Sequence, residues 1–169
     1  MSIANLPFGE IEKFNVVVEI PQGSQDKYEY RDDLGVMELD RVLFGAQRYP
    51  VNYGFVPETH AEDGDHTDVL LLSTNPIIVG GMVASRAVGF MDMVDNGEVD
   101  CKVIAVPVHD PRFEHIKDIS DVSPHLLKEI QNFFESYKAL QKKTVEIKGF
   151  SGKERAIEEL EKTRAAYTK

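Results

Sequence analysis

Asp95-Asn96-Gly97 stands between two long β-prone runs, residues 82–94 and 98–108, and restricts the possible folds more than any other stretch of the chain. Asn-Gly enters the left-handed backbone of a two-residue hairpin turn at little cost, so the runs are expected to pair as an antiparallel ribbon. Other strand candidates lie close by. Residues 14–20 carry Val16, Val17, Val18 and Ile20 and stop at Pro21 and Gly23. Residues 27–31 and 36–42 flank Asp32-Asp33-Leu34-Gly35, a turn composition that predicts a second hairpin. Residues 69–72 form a short apolar run between polar neighbours, the pattern of a buried strand. Residues 49–55, aromatic-rich and punctuated by Pro50 and Gly54, read as a loop. Five or more short strands with little helix between them imply an antiparallel barrel or sandwich.

Helix is expected only late in the chain. Ser123 suits an N-cap and Pro124 the first helical position. Leu126, Leu127, Ile130, Phe133, Phe134 and Tyr137 then recur at helical spacing. A second helix is predicted from Gly152 or Lys153 to about Tyr167, with Ala156, Ile157, Leu160 and Ala165 at amphipathic positions. Its Glu158, Glu159, Glu161, Lys162 and Arg164 read as a solvated face. With no repeat and no linker, residues 1–169 read as one α+β, β-rich domain with C-terminal helices. At 169 residues and 42% apolar, such a chain buries a core without disulfides.

Charge and cysteine usage exclude whole classes of function. Nineteen Lys plus Arg against 29 Asp plus Glu leave a formal charge of −10, which repels bare nucleic acid. A polyanionic ligand then needs localised cations or bridging metal ions. The single Cys101 forms no intrachain disulfide and points to a reducing cytoplasm. The first residues carry neither a basic nor an apolar segment of a signal peptide, and apolar runs fall far short of the roughly 18 residues that span a bilayer.

The chemistry concentrates in Asp63-Gly64-Asp65-His66-Thr67-Asp68, which leads directly into the apolar run at 69–72. Three carboxylates so close repel one another unless cations occupy the site, and hard oxygen ligands favour Mg²⁺, Mn²⁺ or Ca²⁺. An acidic surface turn is the plainer reading of this segment alone. An EF-hand fails, because Asp68 stands where that loop needs Gly and Thr74 where it needs Glu. A second acidic group follows: Asp92, Asp95, Glu98 and Asp100, with Lys102 beyond it. If residues 98–108 are one strand, Asp100 and Lys102 share a face and Cys101 turns to the core. Lys27 and Glu29 share a strand face in the same way, Arg41 sits at a strand end, and Tyr137-Lys138 closes the first helix. Aspartates, cations and tyrosines together are the inventory that phosphoryl chemistry asks for. Nucleophile elbow, zinc-protease, P-loop and dinucleotide motifs are absent, and the five histidines show no zinc-ligand spacing.

These residues resemble a known family, the soluble inorganic pyrophosphatases of family I, bacterial type. The resemblance runs from about Phe14 to Phe150. It rests on ordered motifs: Glu19-Ile20-Pro21, Lys27-Tyr28-Glu29, Asp40-Arg41, Tyr49-Pro50 with Asn52-Tyr53-Gly54, Asp63-Gly64-Asp65 with Asp68, Asp95 with Asp100 and Lys102, and Phe133-Phe134 with Tyr137-Lys138. The resemblance implies an OB-like five-stranded antiparallel barrel with additional strands. It implies Mg²⁺-dependent hydrolysis of pyrophosphate to two orthophosphates in the cytoplasm, with Mn²⁺ or Zn²⁺ as substitutes, by a homohexamer. Carried over residue by residue, Asp63, Asp68 and Asp100 would hold two activating metals and Asp95 a further one. Asp65 would be the general base. Lys27, Arg41, Lys102, Tyr53, Tyr137 and Lys138 would grip the phosphates, Glu19 and Glu29 would be auxiliary, and Tyr49 would sit on the pocket wall. The chain departs from the family at His66 and Thr67, where Pro or Glu and then an apolar residue are usual, and at Asn96, where Glu is frequent. Loss of the proline is expected to leave the turn before Asp68 less rigid. Two other readings compete: a metal-dependent phosphohydrolase acting on nucleotides, and an OB-type binding module for nucleic acid or oligosaccharide.

Overall fold

The computed structural model describes residues 3–168. Its strands are β1 (Gly9–Glu10), β2 (Lys13–Ile20), β3 (Asp26–Arg31), β4 (Val36–Val42), β5 (Asn52–Val56), β6 (Thr67–Leu71), β7 (Met82–Asp95), β8 (Glu98–Val99), β9 (Lys102–Pro107) and β10 (Val145–Gly152). Two α-helices, α1 (Pro124–Ser136) and α2 (Lys153–Ala166), come late, as the periodicity predicts.

Five strands close a barrel in the order β2-β5-β6-β9-β7 and back to β2. Closure depends on the length of β7. Its first residues pair with β2, its middle with β9 and its far end with β10. The turn after β7 behaves as expected, with Asn96 at φ 50° and Gly97 at φ 90°, and Asp95 pairs with Glu98 across it. The β3–β4 hairpin forms a separate two-stranded sheet.

The strands differ from the sequence reading at four places. Residues 52–56 are a barrel strand and not part of a loop. Gly54 sits there because β2 crosses its backbone closely, leaving no room for a side chain. The β6–β9 seam is parallel while the other four are antiparallel, since β7 intervenes in sequence between the two strands. Residues 98–108 are not one strand; they break at Asp100 and Cys101, between β8 and β9. β10, unforeseen, pairs along the outer half of β7.

Both faces of β6 and β9 are buried, which explains why their residues run apolar without alternation. Leu70, Leu72, Ile104 and Val106 face one cluster with Ile130, Phe133 and Phe134 of α1. Val69, Leu71, Val103 and Ala105 face a second cluster with Ala156 and Leu160 of α2. In α1, Ser123 occupies the N-cap position without a side-chain cap bond, and Pro124 opens the helix. In α2 the third buried position is Thr163, while Ala165, expected inside, is exposed. Three residues of its expected solvated face are engaged: Glu159 pairs with Arg155 at 2.9 Å, Lys162 with Glu62 at 2.6 Å, and the Arg164 guanidinium lies 4.4 Å from the centre of the Phe8 ring.

A Cβ on residue 54 would overlap the carbonyl oxygen of Val17 and lie 2.8 Å from its carbon, both backbone atoms of β2. Gly54→Ala is therefore expected to lower stability by about 1–3 kcal/mol or to prevent closure of the barrel. Chemical denaturation of the variant beside the parent protein measures this, and an unchanged midpoint would refute the close-approach account.

Candidate active site

The parallel seam sets the centre of the site. Val69 pairs with Val103, so the preceding residues, Asp68 and Lys102, are brought side by side on the α1 face of the barrel. The Lys102 ammonium, 2% exposed, lies 2.7 Å from Asp68 Oδ2 and 2.6 Å from Asp100 Oδ1. Burial alone would drive the proton off Lys102, but the two carboxylates outweigh it and hold its pKa above the ordinary lysine value. Tyr53, whose strand neighbours place it opposite Leu70, donates its hydroxyl to Asp68 Oδ2 at 2.5 Å. The ammonium also lies over the Tyr53 ring, 5.3 Å from its centre. Burial keeps Asp68 above the usual carboxylate range, with Lys102 opposing and Asp100 adding to the shift.

Glu19 reaches the same region through a bulge. The β2–β5 register steps from Val18–Gly54 to Ile20–Tyr53, leaving Glu19 as the extra residue, and a bulge re-aims the side chain it carries. Glu19 Oε1 accepts from the Tyr30 amide at 2.7 Å. Burial pushes its pKa up to about 8, only partly offset by that hydrogen bond.

The loop before β6 supplies the remaining carboxylates. Gly64 takes φ 95°, and the turn closes with Asp65 N donating to Asp63 Oδ1 at 3.0 Å. Asp65 is raised above the ordinary aspartate value, first by burial and then by the negative charges of Asp63 and Glu29. On the opposite wall Lys138 pairs with Asp95, and the Tyr137 hydroxyl is raised by burial and by the same Asp95. The β3–β4 hairpin forms the rim, where Lys27 and Arg41 are cross-strand neighbours. Lys27 pairs with Glu29 and lies 3.6 Å from Asp40, which also takes Arg41 Nη1 at 2.5 Å.

These walls enclose a cleft of about 550 Å³. Nine carboxylates (Glu19, Glu29, Asp32, Asp63, Asp65, Asp68, Asp95, Glu98, Asp100) line it against three lysines (Lys27, Lys138, Lys143). A polyanion does not enter such a cleft unaccompanied. Among the described residues no three His, Cys, Asp or Glu side chains form a ready metal cage. The donor set nevertheless fits Mg²⁺, which keeps several waters and takes one or two carboxylates plus phosphate oxygens in place of an all-protein cage. The cleft therefore sets carboxylates of the kind that take hard cations beside lysine and tyrosine side chains of the kind that meet phosphate.

Comparison with known proteins decides the family. The inorganic pyrophosphatase family model matches residues 16–168. The chain belongs to the inorganic pyrophosphatase family. The enzyme is 47% identical over 171 residues to the inorganic pyrophosphatase of Thermus thermophilus, covering 98% of both chains. It is 46% identical over 150 residues to that of Geobacillus stearothermophilus, covering 89% of this chain and 91% of the relative. Among solved structures, the crystal structure of the inorganic pyrophosphatase from Thermus thermophilus superposes with a TM-score of 0.95 at 46% identity, covering 99% of each chain. That of Helicobacter pylori superposes at 0.93 with 45% identity, covering 96% of this chain and 98% of the other. The enzyme hydrolyses inorganic pyrophosphate, and the reaction of this family is metal-dependent.

The structure brings Glu19, Lys27, Glu29, Tyr53, Asp63, Asp65, Asp68, Asp95, Asp100, Tyr137 and Lys138 of the enzyme to one cleft. Three expected residues stand back from it. Lys102 lies beneath the wall, committed to Asp68 and Asp100. Arg41 is half-buried in the rim. Tyr49 is not on the pocket wall; it is buried in the core with its ring 5.8 Å from Tyr53 and 4.7 Å from Phe133. The second acidic group divides, because Asp92 turns away and accepts from Ser151 Oγ at 3.3 Å. Sequence reasoning missed Tyr30, Phe55 and Lys143. Tyr30 stacks on Phe55 at 5.6 Å and Phe55 on His66 at 4.9 Å, a column built from three separate elements. His66 is further held by Thr59 O, 2.9 Å from Nδ1.

Glu19 gives a pH prediction. Its pKa is 4.5 as an ordinary glutamate and about 8 in the fold. Below about pH 4.5 both states hold the proton; between there and about 8 only the folded state does, so stability falls as pH rises through that window. In metal-free protein, Glu19→Gln is expected to raise the melting temperature above that of the parent by an amount that grows from pH 5 to 8. Two parallel curves of melting temperature against pH would rule out the buried proton.

Proposed function

We propose that the enzyme uses Mg²⁺, with Mn²⁺ or Zn²⁺ as substitutes, held by Asp63, Asp68 and Asp100, with Asp95 taking a further ion. The carboxylate-lined cleft carries this reading: its only way to accept a polyanion is through cations shared between aspartates and phosphate oxygens. Bound there, Mg²⁺ would supply an acidified water and neutralise diphosphate oxygens. Asp65 would take the proton of the attacking water, and its raised proton affinity suits it as a base nearer neutral pH. Lys27, Arg41, Tyr53, Tyr137 and Lys138 would bind the phosphate oxygens and take up charge as one phosphate leaves in line. Lys102 would fix Asp68 and Asp100 from below, and Glu19 and Glu29 would serve as auxiliary groups beside the rim.

A nucleotide substrate fits less well, because the lining offers little apolar surface beyond Phe55, Val99 and the tyrosine rings for a base. Residues 1–169 then act as a single domain in the cytoplasm, assembled as a homohexamer. No described helix is long and apolar enough to cross a membrane.

Two measurements test the proposal. Phosphate release from pyrophosphate is expected to require Mg²⁺ and to exceed release from ATP by a wide margin; no release with Mg²⁺, Mn²⁺ or Zn²⁺ would overturn it. Asp65→Asn is expected to bind Mg²⁺ like the parent yet lose about 10²–10⁴-fold in turnover, the range for a general base. Near-parent turnover would remove Asp65 from that role.

A further inference from the structure

α2 reaches the acidic loop through one residue. Thr163 is 1% exposed, and its hydroxyl accepts from the Thr67 hydroxyl at 2.7 Å while donating to Glu159 O at 2.9 Å. Its carbonyl is one of the last four of the helix, which have no amide partner within the helix itself. That carbonyl instead accepts from His60 N at 2.9 Å. Thr163 thus holds the loop at both ends, His60 at its start and Thr67 at its finish, with Asp63 and Asp65 between. Thr59, also 1% exposed, closes the set: its hydroxyl accepts from Thr67 N at 2.8 Å and donates to Val56 O at 2.6 Å. Thr67 and Asp68 are successive residues of a pleated strand, so they point to opposite faces, Thr67 to α2 and Asp68 to the cleft. Fixing one fixes the direction of the other.

We propose that Thr163 is a positioning residue for the cation-binding loop: with no proline at position 66, the buried Thr67–Thr163 hydroxyl pair and the His60–Thr163 bond hold Asp63 and Asp68 in place. The inference rests on the reading of those aspartates as cation ligands. Thr163 does not line the cleft. Valine at 163 keeps the volume but leaves the Thr67 hydroxyl buried without an acceptor, which forces the loop end to shift. Partners one step behind the ligands typically change metal affinity by 10–100-fold when lost.

The test is calorimetric titration of Mg²⁺ alone into metal-free protein, well below the melting temperature. Thr163→Val is expected to weaken binding by about tenfold. Thr163→Ser, which keeps the hydroxyl, is expected to bind like the parent. Thr67→Val is the gentler variant, because Thr163 still donates to Glu159 O, and it is expected to weaken binding in the same direction. Ala156→Gly, which destabilises α2 away from the loop, is expected to leave the affinity unchanged. Asp68→Asn distinguishes the two readings. If it loses Mg²⁺ binding while Thr163→Val and Thr67→Val bind like the parent, the positioning role is overturned and the ligand reading stands. If Asp68→Asn itself binds like the parent, the ligand reading fails, and the positioning role with it.

Discussion

The buried Lys102 ammonium between Asp68 and Asp100 is the contact on which the rest of the site depends. An ammonium taken out of water is costly, and only paired carboxylates in good geometry offset the cost. The geometry follows from the barrel, because the parallel β6–β9 register brings residues 68 and 102 together. The interruption of the strand at Asp100 and Cys101 then lets Asp100 turn back onto Lys102. Tyr53 completes the arrangement from β5. Three barrel strands and the gap between β8 and β9 therefore converge on a single charge, and loss of either carboxylate leaves the buried ammonium with one charged partner instead of two.

How much of this was legible depended on whether the cause was local. Asn96-Gly97 was readable because a two-residue turn is set by the backbone preferences of its own residues. α1 was readable because its apolar residues repeat at 3.6. β5 was not, because Pro50 and Gly54 are loop signals by themselves. Gly54 is there for the close approach of β2, a neighbour distant in sequence. The parallel seam was equally hidden: an apolar run shows that both faces are covered without naming the partner strand.

The site divides in the same way. Asp63, Asp65 and Asp68 stand out because three carboxylates precede an apolar strand, a pattern that costs free energy unless something pairs with it. Strand alternation put Asp100 and Lys102 on one face of a single strand; they meet instead across the gap between β8 and β9. What could not be read was the support behind the ligands. Tyr49 looked like a pocket residue and is a core ring behind Tyr53. Thr163 was not among the positions singled out in the second helix, and the turn at its partner Thr67 was expected to be less rigid. The structure puts the two hydroxyls in contact, so the end of the acidic loop is tied down by a bond across 96 residues.

The distribution of cations bears on the order of binding. Lys27 is engaged by Glu29 and Asp40, Arg41 by Asp40, Lys138 by Asp95, and Lys102 by Asp68 and Asp100. In the metal-free protein these side chains are therefore already neutralised, and the carboxylates in excess of them dominate the field in the cleft. A divalent ion that draws a carboxylate to itself releases part of the hold on the neighbouring lysine, which is then free to meet a phosphate. On the proposed reading the metal and the diphosphate would favour each other's binding through the same carboxylates, and by linkage the effect would be reciprocal. Lys102 is the exception. It is buried beneath the wall with two partners, which sets the spacing of Asp68 and Asp100.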